Sequence, residues 1–509
     1  MEPSKSVSKI LLSSFLLVLL TACGSEDNPQ DDETPSGKKE LTYSAKISLT
    51  THTNTILHNV CQNQPAVTLN GIFVSVDGNS NGDGSVNSPL DLATALLKNS
   101  LAKAGETIWV SEGVYKGSFV SRLEGETNNP IKVKPEPGAR VVIDNSLGKS
   151  SGLSVQGSWS EFYGFEVLSR QLERDTPADK YAEIEFPITG GVTVGGGSGG
   201  SNTKVINFII HDNVGSGMSS WSDAPDSELY GNVIYNNGWT SPKRGHGHAI
   251  YAQNKIGYKK LTNNTIFFGF GTGIHVYTEG GKIEGFDVED NVWFMTGASD
   301  PRTSQRKDNC LIGGSQPVKR LTLKNNLGFS LDTGRGTRIG YGGKVVGQSA
   351  EISGNYLSEN FWVAGYWDKL DVKDTIVLRG TTGSRQDQVT DKGGNSFLSS
   401  PPSTGKKIVV TPNLYDSQRA KIVIYNYDND DSVDVNVSSI MNVGETYRIH
   451  SSFALLSDPI LTGVYDGSMI SIPMDSVTPP QPNGLDGIED ADNPHKTFGV
   501  FVLTHSLCN

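Results

Sequence analysis

Six short segments in the middle of the chain share one pattern, in which an aliphatic or aromatic residue follows an asparagine by one or two positions. Successive asparagines lie 19, 32, 27, 35 and 29 residues apart. Short strands at such steps, with Asn and Gly between them, indicate a solenoid in which each coil adds parallel strands to its neighbours. The six asparagines are Asn213, Asn232, Asn264, Asn291, Asn326 and Asn355.

A second short strand is predicted after most of these asparagines. In a solenoid, equivalent residues of neighbouring coils stack about 4.8 Å apart, so the repeated asparagines predict one internal hydrogen-bonded ladder. A β-sandwich is the competing fold, but its strands would not repeat one motif in this way. The second strands are predicted in residues 217–221, 248–252, 273–277, 310–314 and 337–341.

The start of the repetitive region carries the most specific motif. Residues 71–117 predict a strand, a glycine-rich loop, a helix from about Pro89 and a further strand, and they end in "AGETIWVSEGVYKG". This stretch resembles the N-terminal cap of right-handed parallel β-helix proteins of the pectate-lyase-like superfamily. It is most similar to polysaccharide lyases of the alginate lyase and chondroitinase B type. The resemblance implies an all-β fold, a right-handed parallel β-helix with an N-terminal capping helix.

The N-terminus has the features of a bacterial secretion signal. Lys5 and Lys9 precede the apolar residues 10–20, and Leu20-Thr21-Ala22-Cys23 resembles a lipobox. We therefore expect a signal peptide over residues 1–22 and acylation of Cys23. Two acyl chains would anchor the protein stably in the outer membrane. The acidic stretch after Cys23 resembles surface-export signals of some Gram-negative lipoproteins, so we expect the protein at the cell surface. An ordinary signal peptide with a chance cysteine is the alternative.

Three further divisions follow from the composition along the chain. Residues 23–65 are predicted to be a tether, residues 66–398 the parallel β-helix, and residues 405–509 a C-terminal β-sandwich-like domain. Residues 419–437 are predicted to form a hairpin within this last domain. The domain either caps the open end of the solenoid or binds sugar.

Charge indicates the kind of partner. The net charge is -12, which argues against nucleic acid as a partner. Residues 301–350 nevertheless hold nine basic and two acidic residues, a local charge of +7. A cationic surface on an acidic protein predicts an anionic polysaccharide as its ligand. We also expect the protein to be a monomer. The sequence does not decide how Cys61, Cys310 and Cys508 pair.

Aligning the second strands by their apolar residues predicts which side chains share a face. If Ile250 and Ile274 point inwards, Tyr251 and His275 point outwards from adjacent coils at equivalent positions. Leu311 is predicted as the next inward residue. Further outward residues at equivalent or nearby positions are Ser219, Gln253, Tyr277 and Arg338.

These residues predict a site for an anionic glycan. A lyase that acts on uronic acid needs a base, an acid and a group that neutralises the enolate-like charge. His275 is the predicted base, Tyr251 the acid, and Arg244 or Lys243 the neutralising group, although these roles can be exchanged. The loop before Tyr251 also supplies His246 and His248 as catalytic candidates. The predicted substrate-binding residues are Trp239, Tyr277, Gln253, Arg306, Lys307 and Arg338.

Several alternatives stay open at this point. A β-helical glycoside hydrolase would use a pair of carboxylates, and a noncatalytic glycan-binding lipoprotein would use none. His246 and His248 also suit a metal, but a third ligand is not evident. The chondroitinase B resemblance raises Ca²⁺ as a cofactor, although the Asn-Gly-Gly-Glu pattern of that calcium site is missing. The carboxylates considered for a hydrolase are Glu183, Glu185, Asp223 and Asp226.

Overall fold

The structure is a computed structural model. It describes residues 69–178, 183–197, 199–301, 307–331, 336–342, 345–382, 385–475, 477–489 and 492–506. Cys23, Cys61, Arg306 and Cys508 lie outside these ranges, so the predictions made for them stay predictions. None of the helices in the described ranges is long and apolar enough to cross a membrane.

Three long parallel sheets form the walls of a right-handed parallel β-helix, which confirms the predicted fold class. Each coil contributes one strand to sheet A, one to sheet C and one to sheet B, in that chain order for most coils. Sheet A, within the described residues, comprises Ile72–Val74, Thr107–Val110, Ile131–Pro135, Ser160–Tyr163, Lys204–Ile206, Glu228–Tyr230, Lys259–Thr262, Ile283–Glu289, Val318–Lys324, Val346–Ser353, Tyr366–Lys373 and Thr390–Asp391.

The other two walls consist mostly of three-residue strands. Sheet B comprises Phe119–Ser121, Leu153–Val155, Val192–Val194, Met218–Ser220, Ile250–Ala252, Ile274–Val276, Cys310–Ile312, Thr337–Ile339, Phe361–Val363 and Thr381–Thr382. Sheet C comprises Gly113–Lys116, Val141–Asp144, Glu166–Leu168, Ile209–His211, Val233–Tyr235, Thr265–Phe267, Val292–Phe294, Leu327–Phe329, Tyr356–Ser358, Ile376–Val377 and Ser396–Phe397.

Alternation along the short strands of sheet B separates the core from the surface. Ile250 and Ala252 are fully buried inside the helix, and Tyr251 between them points outwards. The prediction that Leu311 is the next inward residue was wrong. Cys310, and not Leu311, is in register with Ile274 and fills the core, so Leu311 lies on the outer face beside His275. Cys310 is a free, buried thiol.

A ladder of buried asparagines runs along the corner between sheets A and C. In each step the Oδ1 of one asparagine accepts hydrogen bonds from both the backbone N–H and the Nδ2 of the asparagine one coil earlier. For Asn264 and Asn291 both distances are 3.0 Å. The same two bonds join every step of the series Asn232, Asn264, Asn291, Asn326 and Asn355.

Asn213 was wrongly assigned to this ladder. It lies at the corner between sheets C and B, where its Nδ2 donates to Asn237 Oδ1 over 3.0 Å. The two motifs look alike in sequence because both corners need a residue with positive φ followed by a side chain that satisfies buried backbone groups. Asn236 has φ 51° and Asn263 has φ 55°, a conformation that asparagine tolerates better than most residues.

A single helical turn, Leu92–Ala95, closes the N-terminal end of the β-helix. Asp91 caps it, since its carboxylate accepts the backbone N–H of Thr94 over 2.9 Å. Leu92 and Ala95 are buried in the solenoid core. The predicted capping helix is present, but it begins at Leu92, about three residues later than the sequence suggested.

The C-terminal part of the chain forms two antiparallel sheets. Sheet D consists, in order, of Lys406–Pro412, Arg419–Asn426, Phe498–Ser506, Thr446–Ser451 and Leu461–Val464. The two-stranded sheet pairs Ser432–Val435 with Ile470–Pro473. The hairpin predicted over residues 419–437 is therefore absent from this described region, because its second half pairs elsewhere. A hydrophobic cluster lies between the two sheets.

Sheet D lies along the side of the β-helix and not over its open end. The rings of Tyr235, Phe267 and Phe294 stack on successive coils of sheet C, 5.0 and 5.1 Å apart. Phe329 continues this row and stacks on Phe498 of sheet D at 4.5 Å. Both faces of sheet D are thus occupied by apolar packing.

Removing one step of the asparagine ladder should destabilise the β-helix. In Asn291→Ala the N–H and side-chain amide of Asn264 lose their acceptor and stay buried, so we expect a loss of at least about 2 kcal/mol. The midpoint of urea unfolding measures it. Asn87→Ala is the control, because Asn87 is exposed and should change stability by less than about 0.5 kcal/mol. Equal midpoints for the two variants would contradict the ladder's role.

Candidate active site

The outer face of sheet B carries one continuous row of side chains from neighbouring coils. Tyr251 pairs with Ser219 of the preceding coil and with His275 of the next. The row continues through Leu311 to Arg338, two coils beyond His275. The predicted register of Tyr251, His275 and Arg338 is therefore confirmed. In each strand the residues before and after the outward side chain are buried in the core, which fixes the direction of that side chain.

Three rings meet at the centre of this row, and all three are half-buried. His275 Nδ1 lies 3.1 Å from His248 Nε2, so one of the two nitrogens donates to the other. The ring of Tyr251 lies 5.7 Å from that of His275 and 5.8 Å from that of His248. Gln253 Nε2 donates to the hydroxyl of Tyr251 over 2.9 Å. Tyr251, His248 and His275 form this Tyr-His-His cluster. With Gln253 beside it, four of the predicted site residues lie together.

The electrostatic surroundings disfavour a charged imidazole. Burial lowers the pKa of His275 well below its usual value, and His248, Arg244 and Arg338 lower it further. Burial, with Arg244 and Lys307, lowers the pKa of His248 to about 4. Both rings are consequently neutral at physiological pH.

The loop before Tyr251 folds into a small hairpin. Trp239–Thr240 pairs antiparallel with Gly245–His246, and the tip exposes Lys243 and Arg244 to solvent. His246 stacks flat on Trp239, with ring centroids 3.8 Å apart, and its Nε2 is 3.2 Å from the Ser241 hydroxyl. The hairpin therefore places positive charge near the histidine pair.

The structure contradicts the predicted sugar-stacking role of Trp239 and Tyr277. Trp239 is 3 % exposed because His246 covers one side and Phe186, from a segment distant in sequence, packs against it at 6.2 Å. Tyr277 is 8 % exposed, packs against His275 and Tyr341, and donates its hydroxyl to Glu279 over 3.2 Å. Neither ring has a free face for a sugar.

Sequence reasoning missed three aromatic side chains on the same face. Trp221 packs edge-on against Tyr251 at 5.5 Å. Trp362 is in register with Arg338, one coil further along, and the Tyr341 ring lies 4.9 Å from the Arg338 guanidinium. All three are half-buried. The signal for Trp362 was present, because "FWV" at 361–363 repeats the inward-outward-inward pattern of the earlier strands.

Two of the four carboxylates considered for a hydrolase support turns. Asp223 accepts hydrogen bonds from the backbone N–H groups of Gly196 and Gly197 at 2.8–3.1 Å. Asp226 accepts the N–H of Tyr258 over 3.0 Å. Glu185 is exposed on a separate segment. Asp223 and Asp226 therefore have structural roles in their turns.

The donor set around the cluster does not fit a calcium ion. Calcium takes six to eight oxygen ligands, mainly from carboxylates and carbonyls, whereas this cluster offers two imidazoles, a phenol and an amide beside two arginines. Within the described ranges, no group of three or more His, Cys, Asp or Glu residues is arranged to hold a metal. His246 and His248 accordingly do not form part of such a group.

Comparison with known proteins agrees with this architecture. Residues 72–330, about half of the chain, match the family model for the Pel9A-like, right handed beta helix region. The chain belongs to this family. Its predicted membership of the pectate-lyase-like superfamily is thereby confirmed. The family is one of polysaccharide-degrading, lyase-like proteins, and the individual lyases that match are only distantly similar to this chain.

Individual relatives are similar over limited stretches. Pectate lyase L of Thermoclostridium stercorarium is 35 % identical over 99 residues, which are 19 % of this chain and 8 % of that protein. The crystal structure of pectate lyase Pel9A is 15 % identical, with a TM-score of 0.40 over 66 % of this chain and 82 % of the other. An alginate lyase from Paenibacillus sp. str. FPU-7 is 17 % identical, with a TM-score of 0.32 over 60 % and 96 %.

Histidine titration tests the electrostatics of the cluster. Because burial and nearby cations disfavour the imidazolium, we expect His248 to titrate with a pKa of about 4 and His275 well below pH 6.5. Nuclear magnetic resonance of protein with ¹³C-labelled histidine would follow both rings, assigned with His248→Gln and His275→Gln. Titration of His275 at or above pH 6.5 would contradict the described surroundings.

Proposed function

We propose that the protein is a polysaccharide lyase that cleaves a uronic-acid-containing glycan by β-elimination. One observation carries the proposal: a half-buried tyrosine and a neutral histidine project side by side from adjacent coils, close to the positive charge of Arg244. An elimination needs just these types of group, a base, a proton donor and positive charge for the substrate carboxylate. Family membership supports the same class of reaction.

His275 is the proposed base. It would remove the proton from the sugar carbon next to the carboxylate, and the freed electron pair would form the new carbon-carbon double bond. The nitrogen available for this is Nε2, because Nδ1 contacts His248. His275 must therefore donate from Nδ1 to His248 Nε2, which leaves a lone pair on Nε2. His248 acts in this scheme as a positioning residue that selects the tautomer.

Tyr251 is the proposed acid. Its hydroxyl would give a proton to the 4-linked oxygen as the glycosidic bond breaks, so the double bond forms between carbons 4 and 5. Gln253 donates a hydrogen bond to the hydroxyl oxygen of Tyr251, which holds the phenol in position beside His275. Arg244 is the proposed neutralising group, and Lys243 lies beside it at the exposed hairpin tip.

A glycoside hydrolase is the less supported alternative. It would require two carboxylates flanking the scissile bond, and Asp223 and Asp226 are engaged with backbone N–H groups instead. A noncatalytic glycan-binding protein would need no neutral histidine beside a phenol.

We also propose that acylation of Cys23 anchors the enzyme at the cell surface, and the support for this is the N-terminal sequence alone.

Replacement of the two proposed catalytic groups tests the reaction. On pectate, alginate, glucuronan, ulvan and glycosaminoglycans, the protein should release a 4,5-unsaturated product that absorbs in the near ultraviolet from at least one substrate. His275→Ala and Tyr251→Phe should each lower kcat on that substrate by about 10²- to 10⁴-fold, the usual contribution of a general base or acid.

Tyr258→Phe is the matched control, because Tyr258 adjoins sheet A on another wall and stacks on Arg320. It should retain full activity. Reducing ends released without ultraviolet absorbance would indicate hydrolysis. Unchanged turnover in His275→Ala and Tyr251→Phe would refute the assignment of both residues.

Chelation tests the expected independence from calcium. Since the described donor groups do not fit Ca²⁺ and Arg244 supplies the positive charge in the proposed reaction, we expect full lyase activity after dialysis against EDTA. Initial rates with EDTA and with added CaCl₂ should agree within about twofold, far less than the loss expected when a catalytic group is removed. Abolition by EDTA with recovery on adding calcium would show that a metal performs the neutralising role.

A further inference from the structure

The outer face of sheet B continues beyond the histidines to a second cluster, formed by Arg338, Tyr341 and Trp362. Arg338 follows His275 by two coils, through Leu311. Coils are spaced by about 4.8 Å, so the two positions are about 10 Å apart along the row. This distance exceeds the reach of one sugar ring, and Arg338 therefore lies outside the place where the proposed proton transfer occurs.

Two aromatic rings hold the guanidinium of Arg338. Its Cζ lies 4.9 Å from the centre of the Tyr341 ring and 5.0 Å from that of Trp362. Thr337, Ile339, Phe361 and Val363 point into the core and are fully buried, which fixes the two strands that carry Arg338 and Trp362. The planar cation is consequently preorganised before any ligand arrives.

The hydrogen-bonding capacity of Arg338 is largely unused. Its side chain is only 15 % exposed, and the nearest approach to Asp308 is 3.7 Å from Nη1 to Oδ2, longer than a hydrogen bond. Nε is buried and contacts no hydrogen-bond acceptor among the residues that the structure describes. Because Nε is covered, the exposed part of the guanidinium is its outer edge, and there the Nη groups can meet a ligand.

We propose that Arg338, Tyr341 and Trp362 form a subsite that binds the carboxylate of a uronic-acid residue one or two sugars away from the bond that is cleaved. A carboxylate matches the two-pronged edge of a guanidinium that its two Nη groups form. The half-buried ring of Trp362 lies beside it and offers an apolar surface to the sugar. The inference rests on the proposed function, and it extends the site from one charged sugar to two.

A subsite of this kind contributes to binding in the ground state and the transition state alike. Its loss should raise KM and leave kcat unchanged. This pattern differs from that expected for the catalytic residues, whose loss lowers kcat. The subsite therefore makes the enzyme select chains that carry a carboxylate on neighbouring sugars.

Binding and turnover of defined oligosaccharides test the subsite. The probes are hexamers of galacturonate, mannuronate and glucuronate, their carboxyl-reduced neutral forms and a sulfated neutral hexamer. Arg338→Gln should raise KM for the preferred uronate hexamer by about tenfold or more, with kcat within about twofold. Arg338→Lys keeps the charge but loses the planar fork, so it should recover only part of the affinity, and Trp362→Leu should also raise KM.

Arg320→Gln is the matched control, because Arg320 also stacks on a tyrosine, at 3.5 Å, but lies half-exposed on sheet A. It should change neither constant. Calorimetric titration of the same hexamers into His275→Ala measures binding without turnover. There the additional change Arg338→Gln should weaken uronate binding and leave any binding of the neutral hexamer unaltered.

The outcomes separate the subsite from the lyase function. Uronate binding that depends on Arg338 without any elimination would overturn the lyase proposal and support the subsite. Elimination that is unaffected by Arg338→Gln would overturn the subsite alone. Equal losses on neutral and uronate hexamers, dependence confined to the sulfated hexamer, or no binding of any uronate hexamer would each overturn the subsite as a carboxylate site.

Discussion

The register between neighbouring coils is the constraint on which the rest of the molecule depends. The strands of sheet B are mostly three residues long, so a slip of one residue would turn Tyr251 and His275 into the core and expose Ile250 and Ile274. The asparagine ladder opposes such a slip, because each Oδ1 binds both the backbone and the side chain of the coil before it. A buried hydrogen-bond network at one corner thus fixes the geometry of the proposed site on another wall.

The sequence predicted those features that arise from repetition. The fold class, the ladder and the pairing of Tyr251 with His275 follow from alternation within a strand and from stacking between coils. Errors arose where a local pattern was ambiguous. Cys310 and Leu311 are both apolar and adjacent, so the sequence did not reveal which of them faces the core. Asn213 resembles the ladder residues because both corners of the coil impose the same backbone requirement.

Contacts between distant segments were beyond the sequence argument. Trp239 looked like an exposed sugar platform, but Phe186 and His246 cover it, and the sequence separation between Phe186 and Trp239 hides their contact. The position of the C-terminal domain was hidden in the same way, although one signal existed. The outward residues of sheet C are Phe267, Phe294 and Phe329, and an aromatic row of this length requires a cover. Sheet D supplies it, which excludes sheet C as a wall for a polymer.

The cations around His275 present an apparent contradiction, since they lower its pKa and so weaken it as a base. A uronate chain removes the contradiction. When the carboxylate of the reacting sugar binds beside Arg244, it offsets positive charge near the imidazole, and the imidazolium that forms after proton transfer becomes less unfavourable. The histidine would thus be a weak base in the free protein and a stronger one only beneath a correctly charged substrate. A neutral sugar in the same place would leave it weak, so the electrostatics that bind the polymer also determine which polymer is cleaved.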